Sequence, residues 1–201
     1  MSEFLLELFS EEIPARMQAR AAEDLKRLVV EGLKARGLDV GEALAFATPR
    51  RLTLAVQKVP AKSPALSEER KGPRVGSPEK ALEGFLKAAG LKSIDEAEIV
   101  KDEKKGDFYV AKIDKPGRAA SEIIAETIPD VMAKFPWPKS MRWGSSPFQW
   151  VRPIHSILCL LGGKVVPFEV AGLTSGDATR GHRFHGREAI QIGRASCRER
   201  V

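Results

Sequence analysis

Cationic and aromatic side chains that suit the binding of a polyanion gather in the final third of this chain. From Lys139 to Gln191 there are seven lysines and arginines against three acids, whereas Met1–Pro138 holds 23 of each. The three histidines and two of the three tryptophans lie in the same stretch. This uneven distribution of charge predicts one basic binding face, of the kind that meets a phosphate chain.

Two adjacent arginines, Arg50 and Arg51, follow a Thr-Pro pair at the entry to a predicted strand. The proline fixes the backbone before them, and successive side chains of a strand point to opposite faces. We therefore expect one guanidinium to meet a phosphate and the other to meet an internal carboxylate. An intramolecular ion pair at a sheet edge is an equally good interpretation of this motif.

A second motif, KSMRWG, places Lys139 and Arg142 close to the indole of Trp143. A basic residue beside an indole can hold a phosphate while the ring stacks on a base, so these three residues are candidate RNA contacts. The residues alone favour the alternative, in which Trp143 covers the edge of the core and Arg142 extends to water.

Further candidate RNA contacts flank a predicted strand that opens at a proline. Arg152 precedes this proline and His155 follows it within the strand, although a histidine in such a run is more often a hydrogen-bonded core side chain. A dense basic loop then contributes Arg180, His182 and Arg183, with nearby glycines that allow close approach to a ligand.

Catalytic and metal-binding motifs are missing from the sequence. There is no GxxxxGK[ST] phosphate loop, no GxGxxG, no GxSxG and no HExxH. His182 and His185 have a spacing that suits metal ligands on a helix, but Gly181 argues against a helix there and no ligand pattern accompanies them. We therefore predict a binding module with no catalytic residue and no metal site.

The hydrophobic pattern predicts an α+β protein. Phe4–Phe9 is a short apolar run typical of a strand, and a helix with one apolar face follows it through Arg36, with Gly37 as its left-handed cap. Two strands, at Ala43–Thr48 and Arg51–Val56, complete a strand–helix–strand–strand order. We interpret residues 1–60 as part of a ferredoxin-like α/β sandwich.

Residues 61–78 are rich in proline, serine and charge, which predicts a linker. Residues 79–191 are then expected to form a second, mixed α/β domain. Its predicted elements are helices at 78–89 and 119–135, the second kinked or split by Pro129, and a strand at 107–113. A Gly162-Gly163 hairpin is expected to join this strand in a basic antiparallel sheet.

The composition and the two ends of the sequence indicate the cellular compartment and which residues belong to the fold. No apolar run approaches the length of a membrane span, and the first residues lack the basic start of a signal peptide. Cys159 lies in an apolar run, which is consistent with a reducing cytoplasm. Ile192–Val201 has neither a periodic hydrophobic pattern nor a recognisable turn motif. We predict that it is a non-native tail translated from a sequencing adapter.

The ordered set of motifs resembles the N-terminal part of the beta subunit of bacterial glycyl-tRNA synthetase. The matching segments span residues 4 to 186 and read LLELFSEEIPARM, FATPRRLTLAV, RKGPRV, ALEGFLKAAGL, KSMRWG, FQWVRPIHSILCLLGGKVVPFEVAGL and TRGHRFHG. The chain departs from the family pattern at Phe9-Ser10, where a Gly-Thr pair is usual, at Ser140, where arginine is commoner, and at Ser156, where tryptophan is usual.

The resemblance implies a place in a larger enzyme. The family's enzyme is an alpha2beta2 tetramer that joins glycine to tRNA(Gly), and its alpha subunit holds ATP, magnesium and glycine. The beta subunit is required for activity and chiefly binds tRNA, so this chain alone is expected to be inactive, cytoplasmic and without a cofactor of its own. The resemblance also implies a likeness to accessory domains of the phenylalanyl-tRNA synthetase beta subunit. A subunit-interface module without direct RNA contact is the alternative.

Overall fold

An antiparallel sheet covered on one face by two helices forms the larger of two units in the computed structural model of the chain. The structure describes residues 1–74, 98–100, 108–115, 117–144, 146–181, 185–186 and 188–192. In chain order the elements are β1 Ser2–Ser10, α1 Ala15–Ala35, β2 Ala43–Thr48, β3 Arg51–Val59, β4 Leu66–Arg74, β5 Glu98–Val100, β6 Phe108–Lys115, α2 Ala120–Ala133, β7 Ile154–Leu161, β8 Lys164–Val165, β9 Glu169–Val170, β10 Leu173–Thr174, β11 Ala178–Arg180 and β12 Ala189–Gln191. This mixed architecture agrees with the predicted α+β class.

The main sheet has the strand order β2-β3-β1-β7-β8, and every neighbouring pair is antiparallel. β1 lies at its centre, where Leu6 stands opposite Leu54 of β3 on one side and Cys159 of β7 on the other. All three residues have 0% exposure. The apolar run that predicted β1 therefore marks a central strand, whose alternate side chains form the floor of the core.

Helix α1 packs a single apolar stripe onto this sheet. Its buried residues recur at the three- and four-residue spacing of one helix face, and they are Met17, Ala21, Ala22, Leu25, Val29 and Leu33. The helix ends as predicted at Gly37, which has a φ of 79° and donates its N–H to the carbonyl of Lys34. Glycine adopts this left-handed backbone conformation easily, because glycine has no Cβ that would clash with the backbone.

Helix α2 lies beside α1 on the same face of the sheet, and Gly32 lets the two helices approach closely. A Cβ added at Gly32 would lie 2.7 Å from Cγ2 of Thr127, which is itself fully buried. The hydroxyl of Thr127 donates to the carbonyl of Ile123 at 2.6 Å, which fixes the side chain in place. α2 continues through Pro129 as one helix, so of the two predicted effects of this proline, a kink or a split, the split does not occur.

A smaller unit, Pro64–Gly117, is inserted between β3 and α2. Its described strands form a three-stranded antiparallel sheet in the order β4-β6-β5. The chain leaves and re-enters the larger unit at neighbouring positions, because Ser63 donates its N–H to the carbonyl of Arg118 at 2.9 Å. The larger unit comprises Met1–Ser63 and Arg118–Val201. This division differs from the predicted one, since the expected linker at 61–78 contains β4.

The Gly162-Gly163 hairpin forms as predicted, with φ values of 56° and 77° in a two-residue turn between β7 and β8. Its expected partner was wrong. β6 pairs with β4 and β5, whereas β7 pairs with β1 over seven residues. β7 is an almost continuous apolar run, and such a run is buried on both faces at the middle of a sheet. No helix among the described residues is long and apolar enough to cross a membrane.

Candidate nucleic-acid interface

Three segments that are distant in sequence meet at one end of the main sheet. The N–H of Ser10, at the end of β1, donates to the carbonyl of Arg50 in the β2–β3 turn at 2.8 Å. The next N–H, that of Glu11, donates to the carbonyl of Pro153 just before β7 at 2.9 Å. These bonds bring the FSEEIP, TPRRL and VRPIH motifs together. We call the side chains gathered there, Phe9, Glu11, Arg50, Arg51 and His155, the arginine cluster.

The Phe9 ring is the centre of the arginine cluster. The guanidinium carbons of Arg50 and Arg51 each lie 4.8 Å from its centroid, and the His155 ring lies 5.9 Å away. Each cation over an aromatic ring gains about 0.5–1 kcal/mol at such a partly exposed site. The expectation that the two arginines serve opposite faces is therefore wrong. Arg50 belongs to the turn and only Arg51 to the strand, so strand alternation does not separate them.

A β-bulge directs His155 into the arginine cluster. Phe9 pairs with Ser156 and Ser10 pairs with Ile154, so His155 is the extra residue between two positions of β1. A bulge turns a side chain away from the face that simple alternation would give it. His155 is accordingly 40% exposed by side-chain area and is hydrogen-bonded to Glu11, whereas a core position was the commoner expectation for such a histidine.

Two carboxylates, those of Glu11 and Glu7, balance the two positive charges of Arg50 and Arg51. Oε1 of Glu11 lies 3.3 Å from Nη2 of Arg50 and 2.6 Å from Nε2 of His155. Oε2 of Glu7 lies 3.4 Å from Nε of Arg51, and these two side chains are 14% and 23% exposed. Both arginines therefore form the intramolecular ion pairs that the sequence left open as an alternative.

The β11–β12 hairpin lies against the same outer face of the sheet. The hydroxyl of Thr179 bonds to a carboxylate oxygen of Glu7, and the carbonyl of Arg180 accepts a bond from Arg51. Arg180 is exposed, and its backbone lies beside the cluster. Gly181 and Gly186 approach closely beside this hairpin, because a Cβ on Gly181 would lie 2.5 Å from the carbonyl oxygen of Gly186.

The predicted KSMRWG contacts lie in a separate extended segment between α2 and β7. With its amide oxygen turned toward Arg142, Gln149 accepts hydrogen bonds of 3.0 Å from both Nε and Nη2 of that residue. Trp143 is half-buried and meets Phe148 edge-on at 6.0 Å, and Lys139 is exposed. Trp143 thus covers the edge of an aromatic cluster, while Arg142 extends to solvent.

The remaining candidates have different surroundings. Arg152 is half-buried and donates to the carbonyl of Val151 at 2.9 Å, immediately before the Pro153 contact of the cluster. His182 and Arg183 lie outside the described residues. Three of the predicted contacts, Arg50, Arg51 and His155, therefore have their side chains around the Phe9 ring, and the backbone of Arg180 lies beside Arg51. Within the described part of the chain, no hydrogen bond, ion pair or ring contact joins Arg142 or Trp143 to them.

The described residues also include a buried thiol, that of Cys159, and a cavity beside α1. Burial raises the pKa of the Cys159 thiol to about 12, which keeps it protonated and unreactive. A cavity of about 280 Å³ lies between α1 and the Phe135–Pro138 segment, lined in part by Arg16, Met17 and Trp137. No group of three potential metal ligands occurs among the residues that the structure describes.

Sequence reasoning missed three members of this site, namely Phe9, Glu7 and Glu11. Glu7 and Phe9 belong to a strand whose even-numbered residues fill the core, so their placement on the opposite face was readable from alternation. The contact between Glu11 and His155 joins residues 144 positions apart and gave no local signal.

Comparison with known protein families identifies the chain's relatives. The family model described as glycyl-tRNA synthetase beta subunit matches residues 4–198. A protein named glycine–tRNA ligase beta subunit from Ruegeria sp. (strain TM1040) is 59% identical over 188 residues, which cover 92% of this chain. Proteins of the same name from Paracoccus denitrificans and Dinoroseobacter shibae are 54% and 55% identical over 196 residues, or 96% of this chain.

These relatives are much longer than the chain. The matched region spans 27% of the Ruegeria and Dinoroseobacter proteins and 28% of the Paracoccus protein. The family model nevertheless covers nearly all of the 201 residues, and the motifs that converge at the arginine cluster fall within the match. The chain belongs to the glycyl-tRNA synthetase beta subunit family.

Proposed function

We propose that this chain acts in glycyl-tRNA synthesis as the amino-terminal region of a glycine–tRNA ligase beta subunit, where it is a non-catalytic portion that binds tRNA and supports the assembly. Family membership supports the reaction, and the relatives' name supports a ligase that attaches glycine to tRNA. In this proposal the alpha subunit holds ATP, magnesium and glycine. The 201-residue chain alone is then inactive in aminoacylation.

The observation that carries the tRNA-binding role is the convergence of three distant motifs at one sheet end. They place the guanidinium groups of Arg50 and Arg51 and the imidazole of His155 around the Phe9 ring, and the backbone of Arg180 lies beside Arg51. Phosphate contacts of this kind position a nucleic acid without reading its sequence, which suits a scaffolding role. Lys139, Arg142, Trp143 and Arg152, with His182 and Arg183, are proposed to extend the same basic region.

The partners follow from this role. We propose an alpha2beta2 tetramer in the cytoplasm, in which the alpha subunit carries the catalytic centre and tRNA(Gly) lies across the beta subunit. The name beta subunit implies an alpha partner, and the excess of cations in the final third of the chain supports RNA contact.

The architecture supports a more specific description of the fold. In the order β1-α1-β2-β3-α2-β7, each helix connects two strands that run parallel with another strand between them. Two such interleaved units make the ferredoxin-like, or split βαβ, arrangement. We infer that the larger unit is a ferredoxin-like sandwich interrupted by the inserted unit. We also retain the proposal that it is similar to accessory domains of the phenylalanyl-tRNA synthetase beta subunit.

Filter binding of a tRNA(Gly) transcript at two salt concentrations tests the proposed RNA contact. Arg50→Ala and Arg180→Ala are expected to weaken binding and to reduce the salt dependence, because each lost phosphate contact removes about 0.9 from the logarithmic slope. Arg27→Ala is the matched control, since Arg27 is an exposed arginine of α1, on the helix-covered side of the sheet. Unchanged affinity for both test variants would exclude the arginine cluster from RNA binding.

A second candidate role is that of a subunit interface without RNA contact. It is favoured by the internal ion pairs of Arg50 and Arg51 and by exposed apolar side chains on edge strand β2. Leu44 and Phe46 of this strand are 42% and 58% exposed. Retention of the alpha subunit by the immobilised chain, lost in Phe46→Ser, together with no salt-dependent retention of tRNA, would favour this role.

A further inference from the structure

Glu11 occupies a position between two nitrogen groups that would otherwise face an external anion. A single oxygen, Oε1, lies 2.6 Å from Nε2 of His155 and 3.3 Å from Nη2 of Arg50. Arg50 is in turn held from below by the Phe9 ring, and its Nε donates to the carbonyl of Ser10 at 3.2 Å. The two nitrogen groups are therefore pre-positioned around one acceptor oxygen.

A phosphodiester has the charge and the acceptor oxygens needed to take the place of the Glu11 carboxylate. A carboxylate and a phosphodiester each carry one negative charge and each offer oxygens to guanidinium and imidazole donors. Exchanging one for the other between Arg50 and His155 leaves the local charge unchanged. The displaced carboxylate of Glu11 then becomes solvated by water.

The main chain of Glu11 is anchored at the end of the strand, and its side chain reaches the surface. Its N–H is bonded to Pro153, and its carbonyl accepts a bond of 2.9 Å from the hydroxyl of Ser10. The side chain is 44% exposed, and those of His155 and Arg50 are 40% and 23% exposed. Rotation of the Glu11 side chain can therefore open the position without unfolding the strand end.

We propose that Glu11 is an internal competitor for RNA: its carboxylate occupies a phosphate-binding position between Arg50 and His155, and a phosphodiester of the bound RNA displaces it. This inference rests on the proposed tRNA-binding role and adds the position of one phosphate and the residue that guards it. A guarding acid weakens attachment of any isolated anion, so the position fills only when neighbouring contacts hold the RNA in place.

Substitution of Glu11 provides the test. In filter binding with a tRNA(Gly) transcript, Glu11→Gln of the 201-residue chain is expected to bind about two- to fivefold more tightly, the range that corresponds to loss of one exposed ion pair. Glu3→Gln is the matched control, because Glu3 is an exposed acid near the opposite end of β1 and the change in net charge is the same. We expect Glu3→Gln to change the affinity by less than about 1.5-fold at 0.15 M salt, where charges far from the RNA are screened.

A double-mutant cycle separates a local effect from a general one. If Glu11 acts by competing at Arg50 and His155, Glu11→Gln gives no gain in a chain that already carries Arg50→Ala and His155→Ala. An equal gain in that background, or an equal gain from Glu3→Gln, overturns the inference. Thermal melting of each variant verifies that it is folded, and Glu11→Asp, whose shorter side chain retains the charge but reaches less far, replaces Glu11→Gln if the latter does not fold. The gain from Glu11→Asp is expected in the same direction but smaller, and its absence equally overturns the inference.

The outcomes distinguish this inference from the proposed function. If Arg50→Ala weakens tRNA binding but Glu11→Gln leaves it unchanged or weaker, the competitor role fails and the RNA-binding role stands. If neither Arg50→Ala nor Arg180→Ala alters tRNA binding, the RNA-binding role of the cluster fails and the inference fails with it.

Discussion

Oε2 of Glu7 lies 3.4 Å from Nε of Arg51, diagonally across the β1–β3 pair on the outer face of the sheet. The same carboxylate holds the hydroxyl of Thr179, so one acid ties the β11–β12 hairpin to the sheet. Because the two charged side chains are only 14% and 23% exposed, loss of one leaves the other partly desolvated without a partner.

Glu7→Gln is therefore expected to lower the free energy of unfolding by about 1–2 kcal/mol, the cost of a partly buried charge left without its partner. Urea unfolding followed by tryptophan fluorescence measures the change. Thr179→Val should cost less, and the double variant should lose less than the sum of the two single losses because both act through one carboxylate. Strict additivity would contradict the shared contact.

Gly32→Ala is expected to destabilise the chain although alanine is the better helix former. The new methyl would lie 2.7 Å from Cγ2 of Thr127, a buried side chain held by its own hydrogen bond, so we expect a net loss of about 1–3 kcal/mol from overpacking. Urea unfolding measures it, and Thr127→Ser should restore most of the loss by removing Cγ2 and keeping the hydroxyl. Gly176→Ala is the control, since a Cβ there meets nothing within 4 Å.

Cys159 should resist thiol reagents until the chain unfolds. Burial raises its pKa to about 12, so at pH 8 the folded thiol remains protonated and inaccessible. In a Cys197→Ser background, labelling by a chromogenic disulfide is expected to occur at the rate of unfolding. Fast labelling of the native chain would contradict the burial of this residue.

The same pKa predicts how stability depends on pH. The unfolded thiol ionises near its ordinary pKa of 9.0, whereas the folded thiol does so only at about 12. The contribution to stability is complete below pH 9 and is lost as the pH rises toward 12, at up to about 1.4 kcal/mol per pH unit. The difference in unfolding free energy between the native chain and Cys159→Ala isolates this slope from that of other groups. A difference that does not change between pH 8 and 10.5 would refute it.

Alanine substitution at Arg142 and Arg152 tests whether the basic region extends beyond the arginine cluster. Each is expected to reduce tRNA affinity about two- to fivefold at 0.15 M salt if it contacts one phosphate, since an exposed charge contact contributes about 0.5–1 kcal/mol. Gln149→Ala serves as a comparison for Arg142, because it removes the side chain that orients the guanidinium and leaves the charge. Equal tRNA affinity for Arg142→Ala, Arg152→Ala and the unchanged chain would confine binding to the cluster.

Local patterns in the sequence predicted most of the individual elements. Interactions within a few residues determine three of these features: the apolar stripe of α1, its cap at Gly37 and the Gly162-Gly163 turn. A short stretch of sequence is therefore enough to predict them. The continuous apolar run of β7 likewise indicated a buried strand.

Long-range pairing was not readable in the same way. The composition of β7 would suit a strand of either sheet. Its pairing with β1, from Phe4 opposite Leu161 to Ser10 opposite Ile154, places it in the main sheet. The inserted unit hid this relation by separating β3 from α2. At the candidate site, the bulge that turns His155 toward Phe9 depends on that same register, so alternation along β7 alone misplaced the histidine.

The position of β7 beside β1 has a consequence for synthesis on the ribosome. β1 can pair with β3 as soon as residue 59 has emerged, but its other edge gains its partner only after Leu161 is made. At about 5–20 residues per second, the nascent chain carries an open, apolar strand edge for roughly 5–20 s. Early association with a chaperone during that interval would shield the edge that β7 later closes.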